Sequence, residues 1–330
     1  MATITGHSEL DSSPSGDNAG ANSGPGRFGD RLFSGLASGS GAIVVALIAA
    51  VAVFLVVQAV PALADNHANF FTDRVWDLSG TQIKFGIPDL LWVTVISSII
   101  AMALAVPVAI GVALYLTMYA PKRLAQPFSY LVDLLAAVPS IVYGLWGARL
   151  LLGYYQPIQD WIAAHLGWFP LLNGNTAAST GSILLASIVL AVMILPIITA
   201  ISREVFQQTP ATHKEGALAL GATKWEMIRT AVLPFGRPGV ISAAMLGLGR
   251  ALGETIAIAL ILSSSNGDFS FSILNGGETF ASRIANNAAE FDTAKKAGAY
   301  ISAGLVLFIL TFVVNAIARV VIERRKAFSE

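Results

Sequence analysis

The chain of 330 residues contains no cysteine and few charged residues. The absence of cysteine excludes disulfide bonds and thiolate metal sites. Charged residues make up only 12% of the chain, whereas a soluble domain has about 25%. With 55% hydrophobic residues and a mean hydropathy of +0.68, the composition is that of a membrane protein. Its four histidines lack the spacing of metal ligands, so we expect no metal site: His7, His67, His165 and His213.

Apolar runs long enough to cross a bilayer recur along the sequence. A membrane-spanning helix needs about 20 predominantly apolar residues. Four runs of this length carry no charge, and two more are interrupted by ionisable groups, one by Asp133 and the other by Arg250 and Glu254. The sequence therefore predicts an all-α, polytopic membrane protein with six transmembrane helices, at residues 42–60, 90–119, 128–146, 181–201, 239–262 and 301–320.

The distribution of lysine and arginine predicts the orientation, because cytoplasmic connections retain these residues. When alternate connections are assigned to one side, that side has 13 of them and the other has 6. Both termini are therefore predicted to lie in the cytoplasm. The first 40 residues are rich in Gly, Ser, Asp and Asn and have few large apolar side chains, so we expect a disordered tail at 1–40, before a permease domain at 41–326.

The largest predicted cytoplasmic segment, residues 202–237, has the pattern of two short helices joined at a glycine. Thr209 and Pro210 can begin the first helix, because threonine caps a helix and proline is tolerated at its first position. Gly221 can end that helix, and Thr223 with Glu226 fits a capping box for the next, which we expect to stop near Pro234. A helix–glycine–helix elbow of this kind is expected to protrude from the membrane.

This segment resembles the EAA loop of ABC importer permeases, in which a coupling helix docks into the cytosolic ATPase. The resemblance implies an ABC importer permease fold. Gly216 stands where that family usually has alanine, which keeps the residue small but lowers helix propensity by about 1 kcal/mol. The positions that match the motif, and that the resemblance assigns to ATPase coupling, are Glu215, Gly216, Ala217, Gly221, Leu233 and Pro234.

The ATPase itself must be a different chain. A phosphate-cradling loop requires Gly-Lys-Ser or Gly-Lys-Thr, but no lysine of this sequence follows a glycine. We therefore expect a transporter subunit rather than an enzyme, without catalytic residues or a cofactor of its own.

Arg250 and Glu254 are unusual because they lie inside an apolar run, "GLGRALGETIAIALIL". An unpaired charge at mid-bilayer costs about 2.5–3.5 kcal/mol on insertion scales. Residues four apart share a helix face, so the two side chains can form an ion pair that fixes packing. Alternatively, the arginine, whose planar fork suits phosphate oxygens, can line a pathway for an anion. Asp133 also allows two interpretations: it can lie near the cytoplasmic interface of the membrane, or it can line the pathway.

Together with "VPSIVYGLWG" at 138–147, this region is similar to the permease subunits of the phosphate-specific ABC importer, of the PstC type. The similarity extends from about residue 43 to 322. It implies phosphate import across a bacterial inner membrane, with Arg250 and Glu254 in the passage. It also implies as partners a second permease of the PstA type, two copies of a PstB-type ATPase, a PstS-type phosphate-binding protein and membrane lipid, but no nucleic acid.

Other functions remain open from the residues alone. Sulfate or molybdate could replace phosphate, because physical chemistry supports an anion without identifying it. A proton-coupled secondary transporter would use Asp133 or Glu254 as its protonation site and need no ATPase. A membrane scaffold would use the elbow only for docking and Arg250 only for packing.

Overall fold

The structure is a computed structural model that describes residues 26–80, 82–173, 181–262 and 271–326. Within these residues the only strands form a small antiparallel hairpin, β1 (Trp76–Asp77) and β2 (Lys84–Phe85). The α-helices in chain order are α1 (Gly26–Ala64), α2 (Pro88–Leu114), α3 (Lys122–Ala136), α4 (Ser140–Trp146), α5 (Leu152–Leu166), α6 (Ile183–Gln207), α7 (Ala211–Ala219), α8 (Lys224–Met227), α9 (Leu233–Leu252), α10 (Ile256–Ile261), α11 (Phe280–Asn286) and α12 (Ala294–Lys326).

Three π-helical turns and one 3₁₀ turn extend the helices of the described chain. The π turns follow α2, α4 and α8, at Tyr115–Tyr119, Gly147–Leu151 and Ile228–Val232. The 3₁₀ turn, Ala288–Glu290, precedes α12. Each π turn widens its helix locally and shifts the direction in which later side chains point.

Five helical stretches of the described residues are long and apolar enough to cross a membrane, and one bent pair brings the number to six if it counts as a single span. The five are Gly29–Ala64, Pro88–Tyr119, Ile183–Gln207, Lys224–Leu252 and Ala294–Val320. The bent pair joins Lys122–Ala136 to Ser140–Leu166 at an angle of 90°. The prediction of an all-α, polytopic membrane fold is therefore confirmed.

The predicted span 128–146 differs from the structure because it is not one helix. α3 ends at Ala136, and α4 begins after Pro139, whose backbone is extended with ψ of 139°. Proline lacks an N–H group, and its ring disfavours the helical conformation of the residue before it. The apolar run is thus divided into two helices with different directions, although its composition resembles that of a continuous span.

The ends of several other spans also differ from the predicted bounds. α1 begins at Gly26, so the last part of the segment expected to be disordered, 1–40, is helical, while residues 1–25 lie outside the described part. Extending an existing helix fixes one residue per added hydrogen bond, which is much easier than starting a new one. The chain divides into two compact units, residues 1–51, whose described part is the first portion of α1, and residues 52–330.

α6 is the centre of the second unit and packs against α2 and α9. Along α2, a row of fully buried alanines four residues apart joins this core: Ala101, Ala105 and Ala109. Small side chains at this spacing allow two helix backbones to approach closely, which is how helices gain van der Waals contact inside a membrane. The close packing of α2 and α6 provides a frame for α9, which carries Arg250, and for the break after it, which contains Glu254.

Candidate substrate pathway and coupling elbow

Arg250 and Glu254 lie at a break between two helices. α9 ends at Leu252, and α10 begins at Ile256, so the predicted span 239–262 is interrupted at residues 253–255. The ion pair, one of the two alternatives for these side chains, is absent from the described structure. The helical spacing of four residues that would bring them together no longer applies once the helix ends between them.

Glu254 instead caps the second helix. Its side chain is buried, and Oε1 accepts a hydrogen bond of 3.0 Å from the backbone N–H of Ala257, in the first turn of α10. The first N–H groups of any helix have no partner within it, and an unsatisfied N–H at membrane depth is costly. A negative charge at a helix N-terminus is also favourable. The carboxylate therefore stabilises the break itself.

Arg250 faces an open groove of about 570 Å³. Its Nε is buried without a hydrogen-bond partner among the described residues. Two polar residues line the same groove, Ser242 from α9 and Asn315 from α12, and the other lining residues are Ile197, Met245, Leu246 and Gly249. The Ser242 hydroxyl already donates to the carbonyl oxygen of Pro238 at 3.0 Å. An arginine with unused donors, beside the amide of Asn315, can bind an oxyanion that enters this groove.

α10 is held by close contacts at three glycines. A Cβ atom on Gly144 of α4 would lie 2.7 Å from the Cα of Ala257, and one on Gly181 would lie 2.1 Å from the carbonyl oxygen of Ile261. A Cβ on Gly147 would lie 2.7 Å from a methyl carbon of Val189 and 2.9 Å from one of Ile261. These glycines allow α10 to lie close against its neighbours, which fixes the position of the capped end beside Glu254.

Asp133, the third charge within a predicted span, forms an ion pair with Arg203 of α6. Both carboxylate oxygens lie 3.3 Å from Nη2 of Arg203. The arginine side chain is 13% exposed and the aspartate side chain 46% exposed. Asp133 therefore links the bent pair to the central helix, and its carboxylate is already engaged by a cation.

The elbow, which we define as residues 211–227, contains α7, the turn at Gly221 and α8. Gly221 has a φ of +84°, a left-handed conformation that glycine adopts without the steric cost of a Cβ atom. The capping box is present, because Thr223 Oγ1 accepts from the N–H of Glu226 and the glutamate accepts from the N–H of Thr223 at 2.8 Å. The helix–glycine–helix pattern is thus formed as the sequence indicates.

The six residues assigned to coupling occupy two places, four of them in the elbow, including Gly221, and two, Leu233 and Pro234, at the start of α9. Glu215 and Gly216 are exposed on α7, whereas Ala217 and Leu233 are half-buried against a cluster that contains Phe206 and Ile228. The expected stop near Pro234 was wrong, since the π turn at Ile228–Val232 leads directly into α9 with the proline in its first turn. Proline at that position lacks only an N–H that the first turn leaves free, so the chain continues as a helix.

Two further ion pairs, next to α11 and at the start of α12, were not predicted from the sequence. Glu278 is buried and forms an ion pair with Arg283, whose guanidinium lies 5.2 Å from the ring centroid of Trp76. Lys295 forms an ion pair of 2.7 Å with Asp65, and this hydrogen bond holds the pKa of the Asp65 carboxyl below its usual value. These charges follow no helical or strand repeat in the sequence, so the pairs become visible only in the folded structure.

The fold and the charged break define a class, a membrane-embedded helical protein with an exposed helix–glycine–helix elbow and an arginine-lined groove within a span. Residues 105–327 match the family described as binding-protein-dependent transport system inner membrane component. The chain belongs to this family.

Relatives and solved structures extend the comparison. The chain is 55% identical to the phosphate transport system permease protein PstC 2 of Mycobacterium tuberculosis (strain ATCC 25618 / H37Rv) over 300 residues, 90% of this chain and 93% of the relative. It is 56% identical to the phosphate transport system permease protein PstC of Mycobacterium leprae (strain TN) over 273 residues, 82% and 86% of the two chains. An inward-facing structure of the MetNI methionine ABC transporter matches with a TM-score of 0.52 at 16% identity, over 71% of this chain and 94% of that one. The last similarity supports the ABC permease fold alone.

Proposed function

We propose that this chain is a membrane subunit of an ATP-driven importer that takes inorganic phosphate into the cell. The observation that carries the proposal is the 55% identity, over 90% of the chain, to a relative named as a phosphate transport permease. The groove with Arg250 supports it physically, because a guanidinium with an unused donor suits a tetrahedral oxyanion. Sulfate and molybdate share this geometry, so the relative's name is what favours phosphate.

The partners follow from the same proposal. A second permease of the PstA type would complete the pathway beside Arg250, and two PstB-type ATPase subunits would dock on the exposed part of α7 around Glu215. A PstS-type binding protein would deliver phosphate at the end of the molecule away from the elbow. In this arrangement the elbow and both termini lie in the cytoplasm of a bacterial cell, and ATP is hydrolysed by the separate subunit.

The engagement of the two carboxylates within the predicted spans argues against a proton-coupled mechanism. Asp133 is paired with Arg203, and Glu254 caps α10. Each of these carboxyl groups therefore already makes a structural contact, Asp133 with the guanidinium of Arg203 and Glu254 with the first turn of α10.

Radiolabelled phosphate uptake, with sulfate as competitor, tests the proposal in cells that carry wild type, Arg250→Gln or Glu254→Gln. We expect Arg250→Gln to abolish most uptake while pull-down shows normal assembly. Arg149→Gln is the matched control, because this arginine is exposed and does not line the groove. Normal uptake in the Arg250 variant would remove this residue from the pathway, and uptake suppressed equally by sulfate would contradict phosphate as substrate.

The glutamate variants separate charge from capping. Glu254→Gln keeps a carbonyl oxygen that can accept from the N–H of Ala257, whereas Glu254→Ala removes the acceptor. If the charge acts on the anion, both variants lose uptake. If the residue only caps α10, the glutamine variant transports normally and the alanine variant fails.

A further inference from the structure

A second groove, of about 370 Å³, lies on the helix that leads from the elbow into the membrane. Arg229 and Arg237 both line it, and the other five lining residues are apolar: Ile110, Leu233, Pro234, Val240 and Ile241. Both arginines are exposed. The groove is separate from that of Arg250, with which it shares no lining residue.

The π turn at Ile228–Val232 explains how two arginines eight residues apart face one groove. In a regular α-helix, eight residues rotate the direction of a side chain by about 800°, which leaves the second about 80° away from the first. A π turn accommodates about one extra residue, so the pair behaves like residues seven apart, about 20° from alignment. The turn therefore places both guanidinium groups on one face of the helix.

These two cations have no carboxylate partner within the described part of the chain. Glu226, one turn before Arg229, is engaged elsewhere, since Oε2 accepts from the N–H and the hydroxyl of Thr223, each at 2.8 Å. In this groove two arginines lack a counter-ion, and the apolar wall beside them lacks an apolar partner. A ligand that satisfies it has an anionic head and an apolar tail.

We propose that this groove binds an anionic phospholipid from the leaflet on the elbow side of the membrane. The phosphate of the headgroup lies between Arg229 and Arg237, and an acyl chain lies along Ile110, Val240 and Ile241. Basic pockets next to membrane helices bind lipid headgroups in this way, and the arginine fork matches phosphate oxygens. A free phosphate ion would not use the apolar wall. The lipid would contact the helix that carries both the elbow and Arg250.

Native mass spectrometry of the detergent-purified complex, with its co-purifying subunits, tests the proposal with added phosphatidylglycerol or phosphatidylcholine. We expect preferential binding of phosphatidylglycerol and a loss of affinity of about fivefold for each arginine changed to glutamine, from about 1 kcal/mol per basic residue. The double variant Arg229→Lys with Arg237→Lys should recover much of the binding, because it retains the charge. Arg123→Gln, an exposed arginine of α3 outside the groove, is the control and should bind as wild type does.

Three results would overturn the proposal. Equal binding of the two lipids would show that the arginines do not select a charged head. An equal loss of phosphatidylglycerol affinity in Arg123→Gln would show that the lipid responds to the general surface charge and not to this groove. Displacement of the lipid by inorganic phosphate at matched concentration would identify the ligand as the free ion. None of these measurements depends on the transported substrate, so the proposed function could fail while this proposal stands.

Discussion

Replacing Gly144 by alanine tests whether the close contact between α4 and α10 holds the charged break in place. The new Cβ would lie 2.7 Å from the Cα of Ala257, about 0.7 Å closer than ordinary contact at 3.4 Å, and 3.1 Å from Cδ1 of Leu260. The leucine methyl can rotate away, but the Cα of Ala257 moves only if α10 moves. Overpacking of this kind costs about 1–3 kcal/mol.

Gly153→Ala in α5 provides the matched control, because no atom lies within 4 Å of its added Cβ. Both substitutions gain helix propensity of about 1 kcal/mol, so the difference between them isolates the clash with α10. We expect a difference in stability of about 1–3 kcal/mol, seen as a lower midpoint of thermal unfolding for the purified Gly144→Ala complex.

Transport is the second measurement for this pair of variants. A shift of α10 moves the N–H that Glu254 caps, so we expect phosphate uptake to fall in Gly144→Ala and to remain normal in Gly153→Ala. Equal midpoints and equal uptake in the two variants would refute the view that backbone contact with α4 positions the break.

Three further predictions concern the elbow, the ion pair of Asp133 with Arg203 and the start of α6. Gly221→Ala should lower the folding stability by about 1–2 kcal/mol, because φ is +84° at this position, and should lower phosphate-stimulated ATP hydrolysis by the complex. Gly216→Ala, whose added Cβ has open space around it, should lower neither. Asp133→Ala leaves a largely buried guanidinium without its partner and should lower stability by about 1–3 kcal/mol; Arg203→Met leaves an aspartate that water can reach and should cost less in the same denaturation series. Ser182→Ala removes the hydroxyl that accepts from the N–H at the start of α6, so we expect a loss of about 1 kcal/mol by thermal unfolding, and an unchanged midpoint would contradict the cap.

The sequence predicted those features that depend on local pattern. Long apolar runs indicated the membrane helices, and the small residue at Gly221 with Thr223 and Glu226 indicated the elbow. Each of these signals lies within a few residues, since the left-handed turn and the capping box are made by neighbours in the chain.

Features that depend on distant contacts could not be predicted from the pattern. Next to the break at 253–255, Gly144 approaches Ala257, which is more than a hundred residues away in the chain, and a run of apolar residues gives no sign of this contact. Arg203 was only one of the 13 lysines and arginines on the predicted cytoplasmic side, because its partnership with Asp133 requires two helices to be packed together. Asn315 was overlooked within an apolar span, although an amide in such a position is the kind of signal that could have identified it.

The local hydrogen bonds of the elbow have a consequence for the order in which the chain folds. The turn is closed by bonds from Gly221 to Leu218 and from Ala222 to Ala217, and the capping box spans three residues. Contacts between residues close in sequence form fastest, since little chain entropy is lost in bringing them together. The elbow can therefore fold soon after it leaves the ribosome. α10 can reach its final position only after α4 and α6 have been inserted into the membrane and packed against it.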